Sequence, residues 1–152
     1  MSNPKINCSG ISNTTFGENV IVVQPVNIYD CFIGSNCFIG PFVEIQRGVV
    51  IGDGSKIQSH TFICELVSIG ENCMVAHGVM FINDLFRVGG PAKGNKSLWQ
   101  PTRIGSGVSI GSNATILPVS ICDDVVIGAG AVVTKDINKP GIYAGNPARL
   151  LR

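Results

Sequence analysis

A six-residue frame constrains this chain more than any other feature. Ile33, Ile39, Ile45, Ile51, Ile57, Ile63, Ile69, Val75 and Phe81 follow one another at a constant interval. That period fits neither an α-helix nor the plain alternation of a long strand. It fits short parallel strands joined by tight turns and wound into a coil, a β-helix. The residue after the repeat aliphatic is often glycine, as at Gly34, Gly40, Gly52 and Gly70. Four residues after it stands a small or β-branched residue: Cys37, Val43, Val49, Ser55, Thr61, Val67, Cys73 and Val79. The first and fifth positions of each hexad are therefore expected to face inward, with a corner between them where glycine relaxes backbone sterics. Three hexads close one triangular coil, which stacks Cys37, Ser55 and Cys73 in a column. With coils about 4.8 Å apart, those two cysteines stand roughly 9–10 Å apart, beyond disulfide reach.

The frame opens at Phe16, Val22 and Ile28 and loses one residue between Ile28 and Ile33. It breaks after Phe81, where Asp84 to Arg103 reads DLFRVGGPAKGNKSLWQPTR, and it resumes with Ile104, Ile110, Ile116, Ile121, Ile127 and Val133. The expected organisation is one all-β domain. It has an N-terminal cap or ragged first coil over 1–15, coils over 16–83 and 104–137, an excursion loop over 84–103, and a tail over 138–152 too short for more than a strand or a cap. A long excursion in a regular solenoid usually carries function.

Apolar residues make up 45% of the 152 residues and charged ones 14%, which suits strands facing a packed interior. A net charge of +1 gives no basic footprint for nucleic acid. The six cysteines include no C-x-x-C pair. No basic segment leads into an apolar stretch at the start, and no apolar run approaches the ~18 residues that span a bilayer. The expectation is a soluble, cytoplasmic protein without a signal peptide or membrane insertion, its cysteines serving as small buried apolar residues.

Column counting also gathers polar residues. Arg47, Glu65 and Asn83 each lie two positions after a repeat aliphatic and should stack on one corner. Ser59 and His77 form a similar column on a neighbouring corner, with His60 beside Ser59. Such residues serve equally as ordinary solvated corners. Histidine, which titrates near neutrality, is usable as a base, and the chain has two.

The runs IGSGVSIGSNATILP, VVIGAGAVVTKDI and YAGNPARLL resemble the coenzyme A-binding end of the hexapeptide-repeat acyltransferases. The resemblance covers roughly residues 16–150 and implies a left-handed parallel β-helix. It also implies a homotrimer with acetyl-CoA, the acyl donor, in a groove between subunits. FINDLF with its following glycine-rich loop is similar to the branch that N-acetylates amino groups of nucleotide-linked sugars. By that resemblance Asn83 binds the sugar or positions the amine, and His77 or His60 acts as base or substrate ligand. Glu65, Asp84 and Arg47 are expected on the substrate. Phe86 and Trp99 would stack on a base or anchor the loop on the next subunit. Ser112 and Ala114 are expected along the pantetheine arm, Ala129 and Gly130 at its amides, and Thr134, Lys135 and Arg149 near the phosphates.

Related sugar O-acetyltransferases carry a histidine in the loop after the FINDLF strand, and this loop has none. A hydroxyl nucleophile needs a base, whereas an amine needs to be held neutral and aimed. N-acylation is therefore the favoured reading. The alternatives are O-acylation of a sugar or small alcohol, a γ-carbonic anhydrase-like zinc hydratase, and a non-catalytic scaffold. The zinc chemistry needs three histidines, so no metal is expected.

Overall fold

The computed structural model describes residues 4–152. Three sheets form the sides of a left-handed triangular solenoid. The first sheet runs through Ile11–Ser12, Asn27–Tyr29, Glu44–Ile45, Phe62–Ile63, Met80–Phe81, Thr115–Ile116 and Val132–Val133. The second holds Thr15–Phe16, Phe32–Ile33, Val50–Ile51, Val67–Ile69, Thr102–Ile104 and Ser120–Ile121. The third holds Ile21–Val22, Phe38–Ile39, Lys56–Ile57, Met74–Val75, Ser109–Ile110 and Val125–Ile127, and ends on Gly141–Ala144 and Arg149–Leu150. Register follows the sequence frame: Ile45 pairs with Ile63, Ile51 with Ile69, and Ile57 with Val75, all in parallel.

The inward positions are those that the hexads mark. Ile33, Ile39, Ile45, Ile51, Ile57 and Ile63 are fully buried and stack on one another through the coils. Polar residues at the fifth position find backbone partners. Ser55 Oγ donates to the Gly70 carbonyl at 2.9 Å and accepts from the Cys73 amide at 3.0 Å. In the same column, Cys37 Sγ donates to the Gly52 carbonyl and Cys73 Sγ to the Gly105 carbonyl. Ser55→Ala leaves two buried backbone groups unpaired, so a loss of about 1–3 kcal/mol in urea unfolding is expected. Ser55→Cys, which imitates its column neighbours, should recover most of it. Equal stability of the serine and alanine proteins would refute this account.

All six cysteines are free, and four are buried. Burial pushes the Cys64 thiol up to about 12, so almost no thiolate exists at pH 8. Peptide mapping after iodoacetamide treatment of the native protein at pH 8 should find the exposed Cys8 labelled and Cys64 untouched. Prompt labelling of Cys64 would contradict the burial. Brief denaturation should make both react.

Corners between the second and third sheets are packed coil on coil. A Cβ on Gly52 would run into the Gly70 backbone, and one on Gly70 into Gly105 and Ser106. Here glycine is required by the approach of the next coil.

The tail and the excursion differ from the sequence expectation: Thr102 and Arg103, expected in the loop, are in a strand, and Ile82 and Asn83, expected in a coil, are in the loop. Strands begin at Ile11, so of the cap or ragged first coil expected over 1–15 the structure has the coil. Ile11 and Ser12 pair with Ile28 and Tyr29, so a first coil forms where the polar composition hid the pattern. Residues 1–3 of that cap lie outside the described residues. The tail makes two strands, one more than expected. Gly141–Ala144 adds in parallel to Val125–Ile127, and the chain then reverses so that Arg149–Leu150 pairs antiparallel with it.

The excursion leaves the first sheet at Phe81 and rejoins the second at Thr102, which pairs with Val67. It is thus one enlarged corner, residues 82–101, in place of the short turns of other coils. Among the described residues no helix is long and apolar enough to cross a membrane.

Candidate active site

The sequence-predicted residues fall on two corners separated by the first sheet. The corner joining the third sheet to the first carries a ladder of backbone hydrogen bonds. His60 N donates to Pro41 O, Gly78 N to Ser59 O, Asn113 N to His77 O, and Gly130 N to Ser112 O. Ser59, His77 and Ser112 therefore occupy successive coils, with Ala129 in the coil after them. The two histidines and three of the residues expected on coenzyme A share one corner, a relation that the excursion obscures in the sequence. Gly78 and Gly130 stand beside His77 and Ala129 with φ of +67° and +68°, so no side chain rises there. His60 has φ +63° and stacks on Phe42, with ring centroids 4.9 Å apart and planes 13° from parallel. Bulky residues rarely hold that conformation, and the stacked ring supports it.

Ala114 does not join this surface. It is fully buried at the fifth position of its hexad, so its side chain fills the solenoid and leaves only backbone for any ligand. Thr134 and Lys135 are exposed one corner further on, after Val132–Val133. Arg149 is exposed on the last strand and donates to the Ala148 carbonyl at 3.0 Å. The Ala148 amide reaches Val132 O, so the tail folds back over the final coil.

The corner joining the first sheet to the second carries the residues expected on the acceptor side. Glu65 is held from both neighbouring coils: its amide donates to Gln46 Oε1 at 3.3 Å, and its carbonyl accepts from Asn83 Nδ2 at 3.2 Å. Asn83 in turn accepts from the Gln100 amide at 2.9 Å, which closes the foot of the loop. Arg47 departs from the expected stack with Glu65 and Asn83. Its guanidinium turns back one coil to Asp30, at 2.8 Å and 3.0 Å. That hydrogen bond, helped by Asn13, holds the Asp30 carboxyl below its ordinary range. Burial first, then the carboxylates of Glu44 and Glu65, push the nearby Tyr29 phenol up.

Inside the loop, Asp84 accepts from the Phe86 amide at 2.9 Å and the Ala92 amide at 2.7 Å. Both carboxylate oxygens thus brace the loop in this chain. Phe86 is exposed at the tip, while Trp99 is half-buried. Lys96, absent from the residues expected from the sequence, makes the loop's shortest side-chain contact. Its Nζ meets both Glu65 carboxylate oxygens, at 2.8 Å and 2.6 Å, and lies 5.2 Å from the Trp99 ring centroid. A signal was present: Lys96 and Trp99 are three apart, and a 3-10 turn eclipses such positions. That turn runs over Lys96–Leu98, with Asn95 accepting from the Ser97 amide.

The open surface depressions of the single chain lie elsewhere. One of about 460 Å³ is lined by Asn19, Asn36, Phe38, Lys56 and Gln58, and one of about 290 Å³ by Pro25, Val26, Asn27, Phe42 and Glu44. Neither contains His77, Glu65 or Asn83. Among the described residues, no three His, Cys, Asp or Glu side chains are grouped to hold a metal ion.

Two family profiles match this chain: bacterial transferase hexapeptide (six repeats) at residues 30–65, and hexapeptide repeat of succinyl-transferase at 101–135. The bifunctional protein GlmU of Dichelobacter nodosus is 35% identical over 141 residues, covering 84% of this chain and 29% of that protein. The galactoside O-acetyltransferase of Escherichia coli is 36% identical over 140 residues, covering 91% of this chain and 63% of that one. The chain thus spans about a third of the length of the GlmU relative. In solved structures, a point variant of AntD, an N-acyltransferase from Bacillus cereus in complex with dTDP and coenzyme A, superposes with a TM-score of 0.80 at 24% identity. That match covers 92% of this chain and 83% of AntD. The repeat frame, the three-sheeted solenoid and these matches agree: the chain belongs to the hexapeptide-repeat, left-handed β-helix acyltransferase family.

Proposed function

We propose that the protein transfers an acetyl group from acetyl-CoA to the amine of a sugar, most plainly one carried on a nucleotide. The observation that carries this reading is the ladder that lines up His77, Ser112 and Gly130 on one corner. It offers backbone and small side chains along several coils, the surface that an extended pantetheine arm needs. The half-buried Glu65, Asn83 and loop supply an acceptor side on the next corner. The first sheet separates the two corners, so a site using both is completed by a second copy, in keeping with a homotrimer. AntD, an N-acyltransferase carrying dTDP and coenzyme A, supports the nucleotide-linked amine.

In this reading the amine nitrogen attacks the thioester carbonyl. The C–N bond forms, the C–S bond breaks, and the proton leaving nitrogen ends on the departing thiolate, directly or through His77. Asn83 and nearby amides orient the reactants or stabilise the oxyanion. Asp84 contributes by holding the loop in shape over the acceptor.

A second reading, O-acylation, draws on His77 beside the cofactor column and on the galactoside O-acetyltransferase match. Thiol release from acetyl-CoA should be followed with amino sugars, free and nucleotide-linked, against their hydroxyl counterparts. Turnover confined to the amines is expected. Turnover of the hydroxyl sugars alone would replace this reading with the second, and no turnover with either would reject both.

A further inference from the structure

The Lys96 ammonium, though exposed, touches the groups that would recognise an external amine. Glu65 faces it with both carboxylate oxygens, at 2.8 Å and 2.6 Å, and Trp99 presents its ring at 5.2 Å. Charge on one side and an aromatic quadrupole on the other are the two attractions that select a primary ammonium.

The two halves of this contact differ in how firmly they are held. Glu65 belongs to the solenoid, its backbone fixed by Gln46 below and Asn83 above, and its side chain is 18% exposed. Lys96 belongs to the excursion, on a single 3-10 turn, and its side chain is 53% exposed. Of the other cations near this corner, Arg47 is engaged by Asp30 and Arg87 by Gln100 Oε1. Glu65, the charged half of the receptor, is therefore built into the solenoid, while Trp99 and the occupant share the loop, and the Lys96 side chain can leave for solvent without disturbing the coils.

We infer that Lys96 is an internal, autoinhibitory occupant of an ammonium site formed by Glu65 and Trp99, and that the acceptor's protonated amine displaces it. The inference rests on the proposed amine acylation and sharpens it: the acceptor arrives as a cation. The product is a neutral amide with no charge for Glu65, so Lys96 returns to its place and favours release. The bound ammonium is a docking state that must lose a proton before it attacks. An ion pair this exposed holds its partner only about two- to sixfold against solvent, enough to compete without sealing the site.

The test is titration of the 15N-labelled protein with glucosamine, and with glucose as the uncharged control, followed by amide shifts. Lys96→Met should bind glucosamine about two- to sixfold tighter than the parent. Lys96→Arg, which keeps the ion pair, should match the parent. Glu65→Gln should lose the interaction, and glucose should bind to none of them. Lys96→Gln serves in the same way if the methionine variant does not fold. Equal affinity for parent and uncharged Lys96 variants, or no glucosamine binding by any of them, overturns the inference. Acetyl transfer is scored separately on the same proteins. Tighter amine binding without transfer from acetyl-CoA would reject the proposed function and leave the ammonium site standing. Transfer to amines with unchanged affinity in the variants would do the reverse.

Discussion

Ile57→Ala is expected to lower the stability of the protein by about 3–5 kcal/mol, with a fall in Tm of roughly 10 °C. Ile57 is fully buried and lies in a strand paired on both sides, with Phe38–Ile39 and Met74–Val75. A solenoid coil contacts only its neighbours. A void at this level therefore breaks the stack between the N-terminal coils and those that carry the excursion and the ladder through His77, Ser112 and Gly130, and nothing beyond the adjacent coils can collapse into it. Lys56→Ala, whose side chain leaves the same strand outward, should change Tm by little. Circular dichroism melts of the two variants decide the matter. A shift for Ile57→Ala no larger than that for Lys56→Ala would show that the isoleucine stack does not hold the coil together.

Asn83→Ala is expected to lower kcat for acetyl transfer about 100-fold, the scale of losing one oxyanion donor, here the Nδ2 hydrogen not used by the Glu65 carbonyl. Asn83 stands at the foot of the loop, two residues after the strand Met80–Phe81. Its Nδ2 grips the Glu65 carbonyl, and its own carbonyl receives the Gln100 amide. Stability should fall by only about 1 kcal/mol, because one side-chain hydrogen bond is lost and the backbone bond is kept. Asn83→Asp keeps the shape and loses the donor, so it should be nearly as slow as alanine. Steady-state kinetics with an amino-sugar acceptor test this, with a parallel melt to confirm folding. A kcat within twofold of the parent for both variants would remove Asn83 from the proposed mechanism. A loss of activity matched by a large fall in Tm would assign it a purely structural part.

The solenoid was legible in the sequence because its core repeats. A hexad that places an aliphatic at the first position and a small residue at the fifth dictates both faces of every strand, and no distant information is needed. Where the pattern thins, the reading stopped short. Ile11–Ser12 pairs with Ile28–Tyr29 although no hexad announces it, and the tail gained a second strand because a chain reversal after Ala144 has no period. Ala114 is a different case. Its motif suggested a ligand surface, but the same hexad arithmetic that buries Val43 and Val79 also buries Ala114.

The site divides along the same line. Stacking of Glu65 under Asn83 follows from the repeat, and the structure joins them by a hydrogen bond. Arg47 occupies the expected level but turns to Asp30, since a long exposed side chain goes to the nearest opposite charge rather than along its column.

The sequence by itself determined the coil, its three faces and the levels at which polar residues emerge, because burial of alternate aliphatics is a local rule repeated many times. Only the tertiary structure decided that His77 shares a corner with Ser112 and Gly130, and that Lys96 lies on Glu65 under Trp99. The excursion separates each pair along the chain by more than one coil, and a loop without a period is placed by the charges and rings it meets.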